Sequence, residues 1–205
     1  MVSTYVRVAS MAAEEAGLSW SVVPTATGTR ETLTRHPFGK APAAEIDGHR
    51  FYETVAICQY VDDVHNAGAL QPLDPLDRAR MSQWLSVANA YIFPATEQGL
   101  VLPRLVVPLM GGTPREDLIE KALPTIAYQM TIVSQRLEEA SHLAGETYSL
   151  ADLFMFVILR AVQMTGEGKM ILEHLPPLRL WLDRIAERPS VAATAWPDEA
   201  ARVRG

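Results

Sequence analysis

The 205-residue sequence contains 48% apolar and 20% charged residues and has a formal net charge of −6. This composition predicts a globular protein with a substantial core, and the acidic balance argues against nucleic-acid binding, which needs a basic surface. The sequence has no apolar run long enough to span a bilayer and no signal peptide, so we expect a cytoplasmic protein with no membrane or nucleic-acid partner.

The cysteine and histidine contents narrow the possible sites further. Cys58 is the one cysteine of the sequence, which excludes an internal disulfide and a cysteine-rich zinc site. The five histidines are scattered, and no pair has the spacing of two ligands on a helix. We therefore predict no metal site. Cys58 lies on the apolar face of a predicted helix and is expected to be a small buried residue without a redox role.

The first predicted elements are a helix, a strand and a loop. Residues 6–16 are rich in helix formers and are followed by Gly17, which suits the residue after a helix C-terminus. Residues 19–23 alternate polar and apolar side chains and predict a short strand. Residues 24–36 contain glycine and several threonines and predict a loop with room for one helical turn.

A hairpin and a second helix come next. Asp47 and Gly48 separate two short strand-like runs, residues 43–46 and 49–52. Both turn residues tolerate a positive φ, so this pair is a strong hairpin signal. Residues 53–64 have a broad apolar face and predict a helix.

The remainder of the chain has helical periodicity. Residues 65–76 are rich in proline, glycine and aspartate and predict a linker. We predict one helix over 77–93 that ends before Pro94, and another helical stretch over 95–102.

Further helices follow towards the C-terminus. Residues 115–141 predict a long helix with a kink at Pro124. Ser149 and Asp152 form a capping box that opens an apolar helix over 150–164. The last predicted helix covers 178–187, with Pro177 in its first turn. A small mixed α/β unit joined to a bundle of five or six helices fits this order of elements.

Four motifs in this order resemble those of the glutathione S-transferase family. Residues 36–43 (HPFGKAPA) and 51–57 (FYETVAI) resemble its pattern N-P-x-G-x-V-P-x-L followed by L-x-E-S-x-A-I. Residues 149–152 (SLAD) resemble the S-x-A-D box of its second domain, and residues 187–191 (ERPSV) resemble the tail of its last core helix. The opening, Ser3 to Val8, resembles the serine-type, phi- or theta-like branch found in bacteria or fungi.

The resemblance implies two domains and a homodimer. We expect a thioredoxin-like glutathione-binding domain over 1–66, a linker over 67–76 and an all-α domain over 77–205. The first strand of the family has no counterpart before Ser3, where only Met1 and Val2 stand. The thioredoxin-like domain is therefore expected to lack this strand. In the dimer, helix 53–64 would face helix 77–93 of the partner.

The resemblance also implies a catalytic group at the start of the first helix. Ser3 would donate a hydrogen bond to the glutathione sulfur, and the helix dipole would favour the same thiolate. Thr4 and Tyr5 are alternative hydroxyl donors, and Arg7 would support the site electrostatically. The plainer alternatives are an N-cap role for Ser3 and a solvated helix charge for Arg7.

The remaining glutathione contacts are also assigned by resemblance. Lys40 would bind the glycyl carboxylate, and Ala41 would pair with the peptide backbone because a cis bond to Pro42 turns it outward. Glu53 would bind the γ-glutamyl ammonium and Thr54, also a good N-cap, its carboxylate. The plainer roles are a solvated lysine, a trans proline on an edge strand and an acid that favours the helix dipole.

The resemblance predicts a glutathione transferase that uses glutathione as co-substrate and a small, fairly apolar electrophile as second substrate. Tyr91, Phe93 and Met110 are the candidates for the electrophile pocket, although such side chains more often belong to a core. A related reaction at the same site (peroxide reduction, isomerisation or dehalogenation) is equally compatible with the sequence. The alternative from a different class is a non-catalytic binding or scaffold module, which the missing first strand favours.

Overall fold

Helix α1 (Thr4–Glu15) joins the two halves of the molecule. The structure, a computed structural model, describes residues 3–204. Val8, Met11 and Ala12 are buried because α1 packs against one helix of the first half and two helices of the second. The helix ends at Ala16, and Gly17 follows with a φ of 66°. This confirms the predicted helix, which begins two residues earlier than expected.

The predicted hairpin is present. Strands β1 (Ala43–Ile46) and β2 (His49–Tyr52) are antiparallel. Asp47 and Gly48 form the turn with φ values of 53° and 77°. A positive φ at both positions is what this type of two-residue turn requires, and the local sequence was therefore sufficient to predict it.

The strand predicted over 19–23 is wrong. Residues 18–26 have no regular secondary structure and are largely exposed. A strand needs a neighbour to pair its N–H and C=O groups, and β1 and β2 are the only strands among residues 3–204. Met1 and Val2, where the resemblance would place part of a first strand, lie outside the described residues.

Two short helical elements complete the first half. Helix α2 (Arg30–Arg35) provides the helical turn expected in the loop, and the Thr29 side chain caps it by accepting from the Thr32 N–H. Helix α3 (Thr54–His65) follows β2 directly and confirms the helix predicted there. Its buried side includes Ile57 and Cys58 and packs against α1.

The second half opens with one continuous helical segment from residue 75 to 109. It consists of α4 (Pro75–Val87), a π-helical segment (Ala88–Ile92), α5 (Phe93–Thr96), a second π-helical segment (Glu97–Val106) and α6 (Val107–Leu109). The predicted end before Pro94 is therefore wrong, and 95–102 is not a separate helix. A proline has no N–H to donate, but a local change to the wider π-helical hydrogen-bond pattern lets the helix pass it.

The rest of the second half is helical. The elements are α7 (Glu116–Glu139), α8 (Leu150–Gln163), α9 (Gly166–Glu173), α10 (Pro176–Ala186), α11 (Pro189–Ala193) and α12 (Glu199–Arg204). Helices α7, α8 and α10 were predicted; the three shorter ones were not. Pro124 lies inside α7, and α10 has prolines in its first turn.

The core is centred on α8. Thirteen of its side chains are buried, as its apolar sequence predicts. The predicted capping box is confirmed, since the Asp152 carboxylate accepts a hydrogen bond from the Ser149 N–H at 3.0 Å. The same carboxylate also accepts from Trp181 Nε1 of α10 at 3.2 Å. The expected α/β half and all-helical half are both present. In the described part of the chain no helix is both long and apolar enough to cross a membrane.

Candidate functional site between the two halves

The first turn of α1 presents three hydroxyl groups, of which two are already engaged. Tyr5 Oη donates to Asn89 Oδ1 at 2.6 Å, and Thr4 Oγ1 donates to Glu97 Oε2 at 3.4 Å. The Ser3 side chain is exposed and has no hydrogen-bond partner among residues 3–204. Of the three candidate donors, Ser3 is therefore the one whose hydroxyl is still available to a ligand.

Ser3 occupies the N-cap position of α1. Its carbonyl accepts from the Arg7 N–H at 3.0 Å, but its side chain does not cap the helix. The hydroxyl thus lies at the positive end of a twelve-residue helix, where an anion is stabilised.

Arg7 lies on the same helix but is directed away from solvent. Its side chain is 1% exposed, and Nη1 lies 2.6 Å from Glu199 Oε2. The guanidinium also stacks over the Trp196 ring at 4.3 Å. The alternative of a solvated helix charge is therefore wrong, because α12 brings a buried carboxylate to Arg7.

The loop before β1 has the backbone geometry that the resemblance implies. The Ala41–Pro42 bond is cis, as predicted, and Lys40 beside it is exposed. Gly39 has a φ of 65°, and its carbonyl accepts from the Gly28 N–H at 2.9 Å, which ties the loop to residue 28. The N–H and C=O of Ala41 have no hydrogen-bond partner in the described chain. Both groups are available to another peptide.

Glu53 and Thr54 lie at the corner between β2 and α3. Glu53 has a φ of 69° and a ψ of 114°. Residues other than glycine rarely adopt this backbone conformation, and such residues cluster at functional sites. Glu53, not Thr54, is the N-cap residue, so the N-cap prediction for Thr54 is wrong; Thr54 is the first residue of the helix. Within residues 3–204 the N–H groups of positions 54–56 have no acceptor, so the helix N-terminus can bind an anion.

His36 is a site residue to which the sequence analysis gave no role. It is buried, and its Nε2 lies 3.9 Å from Glu53 Oε1. Its Nδ1 accepts from the Phe38 N–H at 3.3 Å, which leaves Nε2 to face the carboxylate. The signal was its place in the motif at 36–43, but the family pattern has asparagine there, which does not indicate a contact with an acidic residue.

The three candidates for the electrophile pocket differ in their positions relative to the junction of the two halves. The Phe93 ring lies 4.3 Å from the Tyr5 ring and so lines the junction of the halves. Tyr91 and Met110 are 62% and 83% exposed. Phe93 is thus the candidate that the structure brings to the first turn of α1.

Glu97 and Asn89 also reach this junction and were not singled out from the sequence. Burial raises the pKa of Glu97, although the hydrogen bond from Thr4 acts in the opposite direction. Burial also raises the pKa of Tyr5, with smaller contributions from the Glu97 and Glu53 carboxylates. Two acidic groups therefore act on the same end of α1.

The sequence of both halves matches known domain profiles. Residues 1–69 match the profile of the glutathione S-transferase N-terminal domain, and residues 85–189 match that of the C-terminal domain. The chain belongs to the glutathione S-transferase family. This membership confirms the predicted fold class and the prediction of a glutathione transferase, and glutathione is the co-substrate of this family.

Relatives and solved structures agree with this assignment. The chain is 29% identical over 190 residues to glutathione S-transferase 1 of Zea mays, covering 90% of this chain and 87% of that protein. It is 30% identical over 184 residues to the probable glutathione S-transferase GSTF2 of Oryza sativa subsp. japonica, covering 86% and 84%. It resembles the solved glutathione S-transferase I from maize in complex with an atrazine glutathione conjugate, with a TM-score of 0.83, 26% identity and coverage of 98% and 94%.

Proposed function

We propose that this glutathione transferase activates glutathione through Ser3 and transfers its thiolate to a small, fairly apolar electrophile. The observation that carries the proposal is the free Ser3 hydroxyl at the N-terminus of α1, next to two hydroxyls that are already engaged. A free thiol has a pKa near ~8.5, and lowering it by about two units requires about 2.7 kcal/mol of preference for the thiolate. A hydroxyl donor and a helix N-terminus both stabilise the thiolate and therefore lower the pKa of the thiol.

The other contacts would hold glutathione along the edge of the hairpin. The free N–H and C=O of Ala41 would pair with its peptide backbone, and the exposed Lys40 would bind its glycyl carboxylate. The unpaired N–H groups of residues 54–56 and the Thr54 hydroxyl would bind the γ-glutamyl carboxylate, with Glu53 on the ammonium. In this arrangement the sulfur would be directed towards Ser3.

The electrophile would lie between the halves, against Phe93. Tyr91 and Met110 would contribute from the same helical segment. The atrazine glutathione conjugate in the maize structure has an apolar electrophile-derived part, which supports this class of second substrate.

The serine-type, phi-like assignment and the assembly belong to the same proposal. The plant relatives support the phi-like part of the predicted branch, and the free Ser3 hydroxyl supports its serine type. We infer a cytoplasmic homodimer in which α3 and α4 meet the partner. These two helices flank an open groove of about 420 Å³ on the surface of the chain, lined by residues that include Val55 and Leu85. Sedimentation at micromolar concentration tests the dimer, and a clean monomer would contradict it.

Calorimetric titration with glutathione tests the site. Wild type should bind with a single saturable isotherm, and Thr54→Ala should weaken binding about tenfold because the γ-glutamyl carboxylate loses one donor. Thr113→Ala, at an exposed threonine in the loop before α7, is the matched control and should bind like wild type. Absence of binding to wild type would contradict the enzyme assignment and favour a scaffold role.

A further inference from the structure

Three side chains of the second half form a stripe that meets α1. Asn89, Phe93 and Glu97 are four residues apart and contact Tyr5 or Thr4. They span α5 and parts of both π-helical segments, whose wider turns keep residues four apart close to one face. The stripe therefore lines the junction at which the electrophile would bind, and Glu97 is its one charged member.

Glu97 has little to stabilise its charge. Its side chain is partly buried, and its one hydrogen bond in the described chain is the 3.4 Å bond from Thr4. No lysine, arginine or histidine among residues 3–204 lies within 4 Å of it. A partly buried carboxylate without a cationic partner is unfavourable, and burial raises its pKa accordingly.

The groups that face Glu97 do not compensate the unfavourable free energy of its partly buried charge. From α1 they are the neutral Thr4 and Tyr5; from the corner before α3, Glu53 adds a second negative charge that also acts on Tyr5. Under the proposed function the ammonium of glutathione would neutralise Glu53. Among residues 3–204 Glu97 would still have no cationic partner, and a second substrate bound at this junction could supply one.

We propose that Glu97 is a specificity-determining residue that favours electrophiles carrying a cationic group over neutral or anionic ones. A substrate ammonium in contact with the carboxylate would form a charge-assisted hydrogen bond in a partly desolvated place. An anionic substituent in the same place would meet like charge. The inference rests on the proposed function, because it requires bound glutathione beside Ser3.

The experiment uses three matched glutathione conjugates prepared chemically. Their S-(2-nitrophenyl) groups carry an aminomethyl, a carbamoyl or a carboxylate substituent in the position para to sulfur, so they differ mainly in charge. Calorimetry should give wild-type affinities in the order cationic, neutral, anionic, with at least a tenfold ratio between the first and the last. Glu97→Gln keeps the acceptor for Thr4 and removes the charge, and it should reduce that ratio at least fivefold.

The control is Glu120→Gln, which replaces an exposed acid on α7. This substitution makes the same change in net charge and should leave the ratio unchanged. A second measurement needs no substitution: the wild-type ratio should fall between about 0.01 M and about 0.5 M salt, since ions screen the interaction. An equal ratio in wild type and Glu97→Gln, or no preference in wild type, would overturn the inference. Failure of glutathione itself to bind would instead overturn the proposed function and, with it, the inference.

Discussion

The Arg7 guanidinium and the Glu199 carboxylate form a buried ion pair between the first and the last helix. Nη1 lies 2.6 Å from Oε2, and both side chains are almost fully buried. Arg160 of α8 binds the other carboxylate oxygen at 2.8 Å, and the Trp196 N–H donates to Glu199 at 3.1 Å. One carboxylate thus connects α1, α8 and the C-terminal segment.

Glu199→Ala should destabilise the protein by about 3–5 kcal/mol, because two arginines would be left without their buried counterion. Urea unfolding followed by circular dichroism gives this difference in the free energy of unfolding. The matched control is Glu31→Ala, which breaks the exposed pair with Arg35 and should cost no more than about 0.5 kcal/mol. Equal effects of the two substitutions would show that the buried pair does not hold the helices together.

Ser3→Ala should raise the thiol pKa of bound glutathione by up to about two units, since the thiolate loses its hydroxyl donor and keeps only the helix N-terminus. The thiolate absorbance, followed as a function of pH in the complex, measures this pKa. Turnover at neutral pH should fall about tenfold or more, while the glutathione Kd should change less than about threefold.

Thr4→Val and Tyr5→Phe are the controls for this experiment. Their hydroxyls are engaged with Glu97 and Asn89, so both variants should leave the thiol pKa close to that of wild type. A larger shift in either of them than in Ser3→Ala would transfer the thiolate-stabilising role to that residue.

The elements that the sequence predicted well are those fixed by local chemistry. Asp47 and Gly48 specify the hairpin turn, and the Ser149–Asp152 capping box specifies where α8 begins. The cis bond before Pro42, by contrast, was predicted through the family resemblance. Most X–Pro peptide bonds are trans, so the local sequence alone would not have indicated it.

The elements that the sequence predicted poorly depend on distant partners. Residues 19–23 have the alternation of a strand, but a strand forms only beside another. Arg7 was compatible with a solvated surface because its partner, Glu199, stands 192 positions later. Glu97 was overlooked for the same reason: its contact with Thr4 exists only once the halves have packed together.

Cys58 should be inert to thiol reagents in the native protein. It is fully buried on α3, and burial raises the pKa of its thiol, so the reactive thiolate is scarce. Modification by a chromogenic disulfide should be at least about a hundredfold slower in buffer than in denaturing urea, because it requires opening of the structure. Rapid modification of the folded protein would contradict the packing of α3 against α1.

Glu97→Gln should increase the thermal stability of the protein at neutral pH. The pKa of Glu97 is raised in the folded state, so the folded protein holds this proton at pH values where the unfolded chain has released it. The free energy of unfolding therefore falls as pH rises from the unfolded pKa, near ~4.3, through the raised folded pKa. The gain from the substitution should be present above that window and disappear below it.

Calorimetric Tm values of wild type and variant at neutral pH and near pH ~4 measure the gain directly, with Glu120→Gln as the control that shows none. A gain that is independent of pH would mean that packing, and not the unpaired charge, explains it; a loss of stability at neutral pH would mean that Glu97 has a stabilising partner in solution.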